Sequence, residues 1–322
     1  MPKPIDAVVA DLTRETDWSS LAVDVALRQV RLVEIDGARP GTTVGNRESY
    51  LTTASGQRKY AQFSRVEGRD VCVLLGYADG ERCASVQFRP APDQDRPKAV
   101  VIGKTFLREA KTGTAEVPAA LPFFVGLEPL RDAIRRATPV GPGRALDRAC
   151  DRYYFAGVRD GDATQDLVFS LDASTSFPLR VEAFADRPSF DAGRPLTAWE
   201  ATRLDEVQGR HVAVDSRLST YGVGPNRRWE PTLVNEYHVT NVRFDAAIPA
   251  SEFWPRLEPG MLVYDRVAQK AYKVGADGQP ATAQPAPARS SAPTWAFSAT
   301  LAVGLALVIV GIARRHRARP VA

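Results

Sequence analysis

The chain has 322 residues, 44% apolar and 25% charged, an ordinary composition for a folded protein of one large or two small domains. The net charge is only +4, and Arg314, Arg315, Arg317 and Arg319 near the C-terminal end supply four positive charges. The body is therefore nearly neutral and lacks the basic stripe that a nucleic-acid binder needs. Cys72, Cys83 and Cys150 are odd in number and match no zinc spacing, so no metal site and no cofactor is expected.

Ile5 to Glu15 has apolar residues at Ile5, Val8, Val9 and Leu12, a helical spacing. The period then drops to two. Val23, Val25 and Leu27, followed by Val30 and Leu32, predict a long strand with a bulge near Arg28 and Gln29. Short strands follow at Tyr50–Thr52, Tyr60–Val66, Val71–Tyr77 and Cys83–Phe88, with Ser55-Gly56, Glu67-Gly68 and Asp79-Gly80 between them. Connections this short make an antiparallel meander. Buried thiols are the expectation for the cysteines, with a Cys72–Cys83 bridge as the alternative in an oxidising compartment. A two-residue Asp79-Gly80 turn would place Cys83 opposite Gly76, which argues against the bridge.

Val100–Phe106 reads as a further strand. Leu127, Leu130, Ile134 and Ala137 then share one stripe of a helix that Gly141-Pro142-Gly143 ends. Strands resume at Tyr153–Val158, Leu167–Leu171, Leu179–Phe184, Trp199–Val207, Val212–Tyr221 and Glu236–Phe244, with a last pair at Met261–Tyr264 and Ala271–Val274. The expected fold class is α+β, with a curved antiparallel sheet, a half-barrel, wrapped around one or two helices. A sheet of so many strands must curl, and an amphipathic helix needs a concave surface to bury its apolar face. No repeat of solenoid or propeller period is present.

The body is expected to span 1–274. Residues 275–294, rich in Pro, Ala, Ser and Gly, read as a flexible linker. Trp295 to Ala313 is uncharged over the length of a transmembrane helix, and the basic tail 314–322 follows it directly. The positive-inside rule puts that tail in the cytoplasm and the body outside, at the inner membrane. No export signal follows Met1, so either the true start lies upstream, which is the expectation, or the protein is tail-anchored with its body in the cytoplasm.

The last third carries a family likeness. Leu171-Asp172, Thr175 and Pro178-Leu179-Arg180-Val181-Glu182 form one piece of it. Tyr237 to Phe244, Ile248-Pro249, Phe253-Trp254, Pro259-Gly260-Met261 and Val263-Tyr264-Asp265 form the other. Over 145–266 this pattern resembles the LolA-like proteins, a group that includes periplasmic lipoprotein carriers, LppX-like lipid-binding proteins and the sensory domain of RseB-type regulators. The resemblance implies a half-barrel enclosing helices, with a hydrophobic cavity between them that holds acyl chains in the carriers. This sequence departs from the carriers in its membrane anchor. A tethered domain does not shuttle, so ligand binding or sensing is what remains.

The residues that would line such a cavity are Phe123, Phe124, Leu127, Leu130 and Ile134, with Trp199, Tyr221, Phe253 and Trp254 near strand ends. The plainer reading of the same residues is ordinary core. The expected function is a membrane-anchored envelope protein that binds a lipid or lipidated protein. The alternative is an interaction or regulatory module with a filled core and no lipid ligand. His211 and His238 read as solvated or hydrogen-bonded strand histidines, and Asp172, Glu182 and Asp265 as a solvated face. Gly141-Pro142-Gly143 and Gly222-Val223-Gly224 read as turns, and no nucleophile elbow occurs. No enzyme is expected.

Overall fold

The computed structural model describes residues 2–33, 40–41, 43–53, 57–66, 69–78, 82–87, 99–104, 122–125, 128–160, 163–265, 267–268, 270–277 and 279–285. Met1–Gln284 forms one compact unit, and Pro285–Ala322 a second. The apolar run 295–313 and the basic tail 314–322 lie outside the described residues, within which no helix is long and apolar enough to cross a membrane.

Helix α1 (Ile5–Thr16) lies where its spacing places it, with Val8 and Leu12 fully buried. Six strands follow: β1 (Ser20–Arg31), β2 (Thr43–Thr53), β3 (Arg58–Val66), β4 (Arg69–Ala78), β5 (Arg82–Gln87) and β6 (Ala99–Lys104). A small pair, β7 (Phe124–Val125) and β8 (Glu128–Pro129), leads into α2 (Leu130–Ala133), which continues as a 3-10 turn over Ile134–Arg136. Then come β9 (Thr138–Ala145), β10 (Arg148–Asp160), β11 (Ala163–Asp172), β12 (Pro178–Phe184), the short α3 (Arg187–Asp191), β13 (Thr197–Val207), β14 (Arg210–Val223) and β15 (Trp229–Phe244). β16 (Leu262–Asp265), β17 (Lys270–Val274) and β18 (Pro280–Pro285) close the unit.

Among the described residues sixteen of these strands form one sheet, in the order β18-β17-β16-β6-β5-β4-β3-β2-β1-β15-β14-β13-β12-β11-β10-β9. The expected meander is therefore present on both sides of the β1–β15 pair. One junction is parallel, β16 against β6, with Val263 opposite Val100. Seven adjacent strands, β1 and β15 back to β10, feed a single buried cluster with α1 and α2. Laid flat they would span about 29 Å at ~4.8 Å per strand. A helix is about 10 Å across, so a shared cluster requires the sheet to curl around the helices. The curved, mostly antiparallel sheet with few helices that the sequence predicts is the fold observed.

Several expectations are corrected in detail. The helix expected from Leu127 begins at Leu130, because Pro129 precedes it in an extended conformation, and Leu127 lies outside the described residues. Proline is tolerated only in the first turn and keeps the residue before it extended. Gly141-Pro142-Gly143 is not a helix stop but part of β9, pairing with Arg152, Asp151 and Cys150. Gly222-Val223-Gly224 likewise opens on strand residues, since Gly222 and Val223 belong to β14. The bulge expected near Arg28 lies instead on the partner strand, where Thr240 is the extra residue between the Asp24–Asn241 and Val25–Val239 pairs. Cys83 faces Ala78 rather than Gly76, because the loop is longer than two residues, and its turn lies outside the described residues. Cys72 faces Phe63 on the other neighbour, and Cys72 and Cys150 are free thiols. Pro280–Pro285, inside the stretch expected as linker, is a strand beside β17.

The outer face of the sheet carries a transverse row of charge. Register places Arg152, Ser170, Arg180, Glu200, Arg217, Glu236 and Arg28 side by side on β10, β11, β12, β13, β14, β15 and β1. Arg217 Nε donates to Glu200 at 3.0 Å, Arg28 meets Glu236 at 3.2 Å, and Arg180 donates to Glu182 at 2.7 Å. Glu182 is thus largely buried within this row, not part of a solvated face.

Candidate functional site

The inner face of β10–β15 is closed. Phe123, Leu130, Ile134 and Trp199 all belong to the cluster around α1 and α2, at 3%, 0%, 0% and 6% exposure. Phe123 packs edge-on against Phe177, with ring centroids 5.4 Å apart. The structure therefore gathers four of the nine candidate residues in one buried cluster. Trp254 packs elsewhere, against a second cluster of Tyr77, Ala84, Val86, Met261, Val263 and Val274. Phe253 is buried in the 3-10 turn before it, and Tyr221 is half-buried on β14. The side chain of Phe124 and all of Leu127 lie outside what is described.

An open cleft of about 700 Å³ lies at the end of β10. Its walls are Val125, Glu128 and Pro129 of the small hairpin, Arg136 and Thr138 beyond α2, and Tyr154 to Arg159 of β10. Phe155 and Val125 form a buried apolar floor. The cleft exists because β10 bulges there. Phe155 pairs with Leu167 and Val158 with Gln165, so Ala156 and Gly157 together face Asp166. Gly157 sits at φ +64°, a left-handed conformation that glycine adopts without penalty. Asp166 pins the bulge: its carboxylate accepts the Gly157 N–H at 2.8 Å and the Tyr154 hydroxyl. Burial first, and the neighbouring Asp166 second, push the Tyr154 phenol up to about 12.

At the rim Arg136 pairs with Glu128, and Arg159 is exposed. The cleft thus combines an apolar floor with guanidinium groups at its edge, at a volume typical of small-molecule sites. None of its residues was singled out from sequence, and one signal was available. The glycine inside Phe155-Ala156-Gly157-Val158 marks a bulge, and bulges gather at sites that bind.

The remaining polar candidates have structural partners. Asp172 accepts from the Ser174 and Thr175 amides at 2.8 and 3.0 Å and pairs with Arg148 at 2.6 Å. Burial opposes its charge, but the Ser174 hydroxyl, those amides and Arg148 outweigh it and hold the carboxyl below its ordinary range. Asp172 is a buried staple of the β11–β12 turn, not part of a solvated face. Asp265 accepts the Val267 and Ala268 amides, each at 2.8 Å. His211 is held by Glu15 of α1, which accepts its backbone N–H and meets its Nδ1, both at 2.8 Å. His238 meets Asp215 on the outer face. Among the described residues no group of three or more metal-ligating side chains occurs.

No protein-family model matches the chain, and no curated protein matches it in sequence. Similar solved structures include an outer-membrane lipoprotein-sorting protein domain from Vibrio parahaemolyticus, at 12% identity and TM-score 0.47, covering 77% of this chain and 95% of that one. A LolA superfamily protein from Nitrosomonas europaea is similar at 12% identity and TM-score 0.46, covering 79% and 98%. A DUF1329 family protein from Desulfovibrio piger is similar at 11% identity and TM-score 0.44, covering 78% and 98%.

Proposed function

We propose that this protein is a membrane-anchored binding module that holds one amphiphilic ligand, a lipid or the lipid part of a lipidated protein, in the cleft at the end of β10. The observation that carries the reading is the cleft itself: about 700 Å³ of open space lined by Val125, Phe155 and Val158 together with Arg136 and Arg159. Apolar burial of an acyl chain contributes about 0.8 kcal/mol per CH₂, and a guanidinium at the rim suits an anionic head. The cluster around Phe123, Leu130, Ile134 and Trp199 is buried, which favours the open cleft at this end of the molecule as the place where a ligand is met. Anchoring rests on the uncharged run 295–313 and the arginines after it, with the body outside the cytoplasm at the inner membrane.

The second reading is an interaction or regulatory module with no lipid ligand, and one experiment separates the two. The full chain is labelled with a phospholipid carrying a photoactivatable group on its acyl chain, and the labelled peptides are mapped. Label in 122–138 and 153–160, lost in Val158→Glu, is the expected result. Label confined to 295–313 would leave the cleft without a lipid and favour the interaction module.

A further inference from the structure

The β14–β15 hairpin carries a patch that the β10 cleft does not explain. Its tip reads Gly222-Val223-Gly224-Pro225-Asn226-Arg227-Arg228-Trp229-Glu230. The turn is tied at both ends: the Gly224 N–H donates to the Arg228 carbonyl at 2.8 Å, and the Arg227 N–H donates to the Gly224 carbonyl at 3.0 Å. Val223 pairs with Trp229 at its base. Trp229 Nε1 donates to the Pro195 carbonyl at 2.8 Å, which seats the hairpin against the segment that carries Arg194.

What this projection shows to solvent is an apolar point among cations. Val223 is 61% exposed, the most of any large apolar side chain among the described residues. Leu32, whose N–H donates to Thr232 of β15, is next at 45%. Pro225, Asn226, Arg227 and Arg228 are all exposed, and so is Arg194. Among the described residues Arg194, Arg227 and Arg228 make no ion pair, whereas Arg180, Arg203 and Arg217 on the same sheet are all paired. The one acid of the tip, Glu230, lies back across Gly224, where a Cβ would meet its Oε1 at 1.5 Å. Glycine there makes room for the carboxylate along the hairpin and leaves the exposed charge of the tip positive.

We propose that this tip docks on an anionic lipid surface, with Val223 entering the interfacial layer and Arg194, Arg227 and Arg228 meeting phosphate groups. Charge complementarity selects the partner, since each basic side chain near an anionic bilayer is worth about fivefold in affinity. Shape selects a bilayer over an acidic peptide. A peptide needs a groove or a free strand edge. The tip is a projecting turn, and β14 and β15 have neighbours on both sides. β10, β12 and β14 run in one direction, so the cleft end of β10 and the tip end of β14 lie on one rim of the sheet. The proposal rests on the tip and not on what the cleft holds.

The test places the full chain in phosphatidylcholine nanodiscs, where the run 295–313 already has a bilayer, and measures co-flotation with vesicles of phosphatidylcholine or phosphatidylglycerol. A chain that does not enter the discs is floated as it is, so failure of the anchor and failure of the tip read out separately. Co-flotation with phosphatidylglycerol alone, lost as added salt screens the charge, is expected. Arg227→Gln/Arg228→Gln should weaken it about thirtyfold, and Val223→Asp about tenfold. Arg243→Gln/Arg256→Gln removes the same charge from exposed arginines off the tip and should leave it unchanged. Equal loss in both double variants would mean attraction by net charge alone and overturn the proposal, as would flotation with neither lipid. Oligoglutamate is the competing ligand. Its binding through Arg227 and Arg228, without flotation, overturns the bilayer reading in favour of an acidic protein partner.

Discussion

The two halves of the sheet use their faces in opposite ways. In β10–β14 the side toward α1 and α2 is apolar, with Tyr153, Phe155, Phe169, Leu171, Leu179 and Trp199 buried, and the outer side carries the Arg–Glu row. In β2–β5 the side toward the helices presents Glu48, Tyr50, Tyr60 and Gln62. There the apolar side chains Leu75, Tyr77, Ala84 and Val86 point the other way, under Trp254, Leu257 and Met261. Alternation makes a strand two-sided, but what covers each side decides which becomes core. One half buries the side that faces the helices, and the other keeps polar side chains there.

This contrast can be broken first at its two cores. Ile134→Ala should cost about 2–5 kcal/mol of unfolding free energy, because the side chain is fully buried among α2, α1 and the sheet. Val263→Ala in the second cluster should cost about 2 kcal/mol. Measured by denaturant titration, the double variant should match the sum within about 0.5 kcal/mol if the cores are independent. A larger departure would show that the two clusters are energetically coupled.

Next in size is Asp172→Asn, which removes the charge that Arg148 and the turn amides hold in the closed half, and should cost about 1–3 kcal/mol at neutral pH. The sign with pH follows from its lowered value. A carboxyl held below its ordinary 3.8 stabilises the fold fully above that value and loses the contribution as pH falls through its folded value. Thermal unfolding should therefore show the parent losing more stability between neutral pH and pH below about 4 than Asp172→Asn does.

Glu15→Ala should cost about 1–3 kcal/mol, since it leaves the His211 amide and ring without the acceptor that docks the end of α1 on β14. The smallest effect is expected on the outer row. Glu200→Gln should change stability by less than about 1 kcal/mol, because Arg217 is half-exposed and such pairs are screened by solvent. A cost above 2 kcal/mol there would mean that the row acts as a coupled network.

Much of this molecule was legible in order of residues alone. Val8 and Leu12 marked α1, the alternation from Leu167 to Leu171 and from Leu179 to Phe184 marked β11 and β12, and the succession of short connections marked a meander. These are local signals, written in spacing and turn chemistry, and neighbouring residues suffice to carry them. Others were missed for equally physical reasons. Pro129 cut the central helix to little more than two turns, and β9 escaped notice because Pro139, Gly141, Pro142 and Gly143 look like a loop until β10 pairs with them.

What only the tertiary structure decided is which side of each strand becomes interior. Phe123, Leu130, Ile134 and Trp199 come together with α1 and α2 in one buried cluster only through the tertiary fold. The β10 cleft needs Asp166 to face a bulge, and Glu48, Tyr50, Tyr60 and Gln62 share a face only because β2 and β3 pair in one register. A sequence specifies each strand's alternation. It does not show which partner or which covering segment that alternation will meet, because those contacts join residues far apart in the chain.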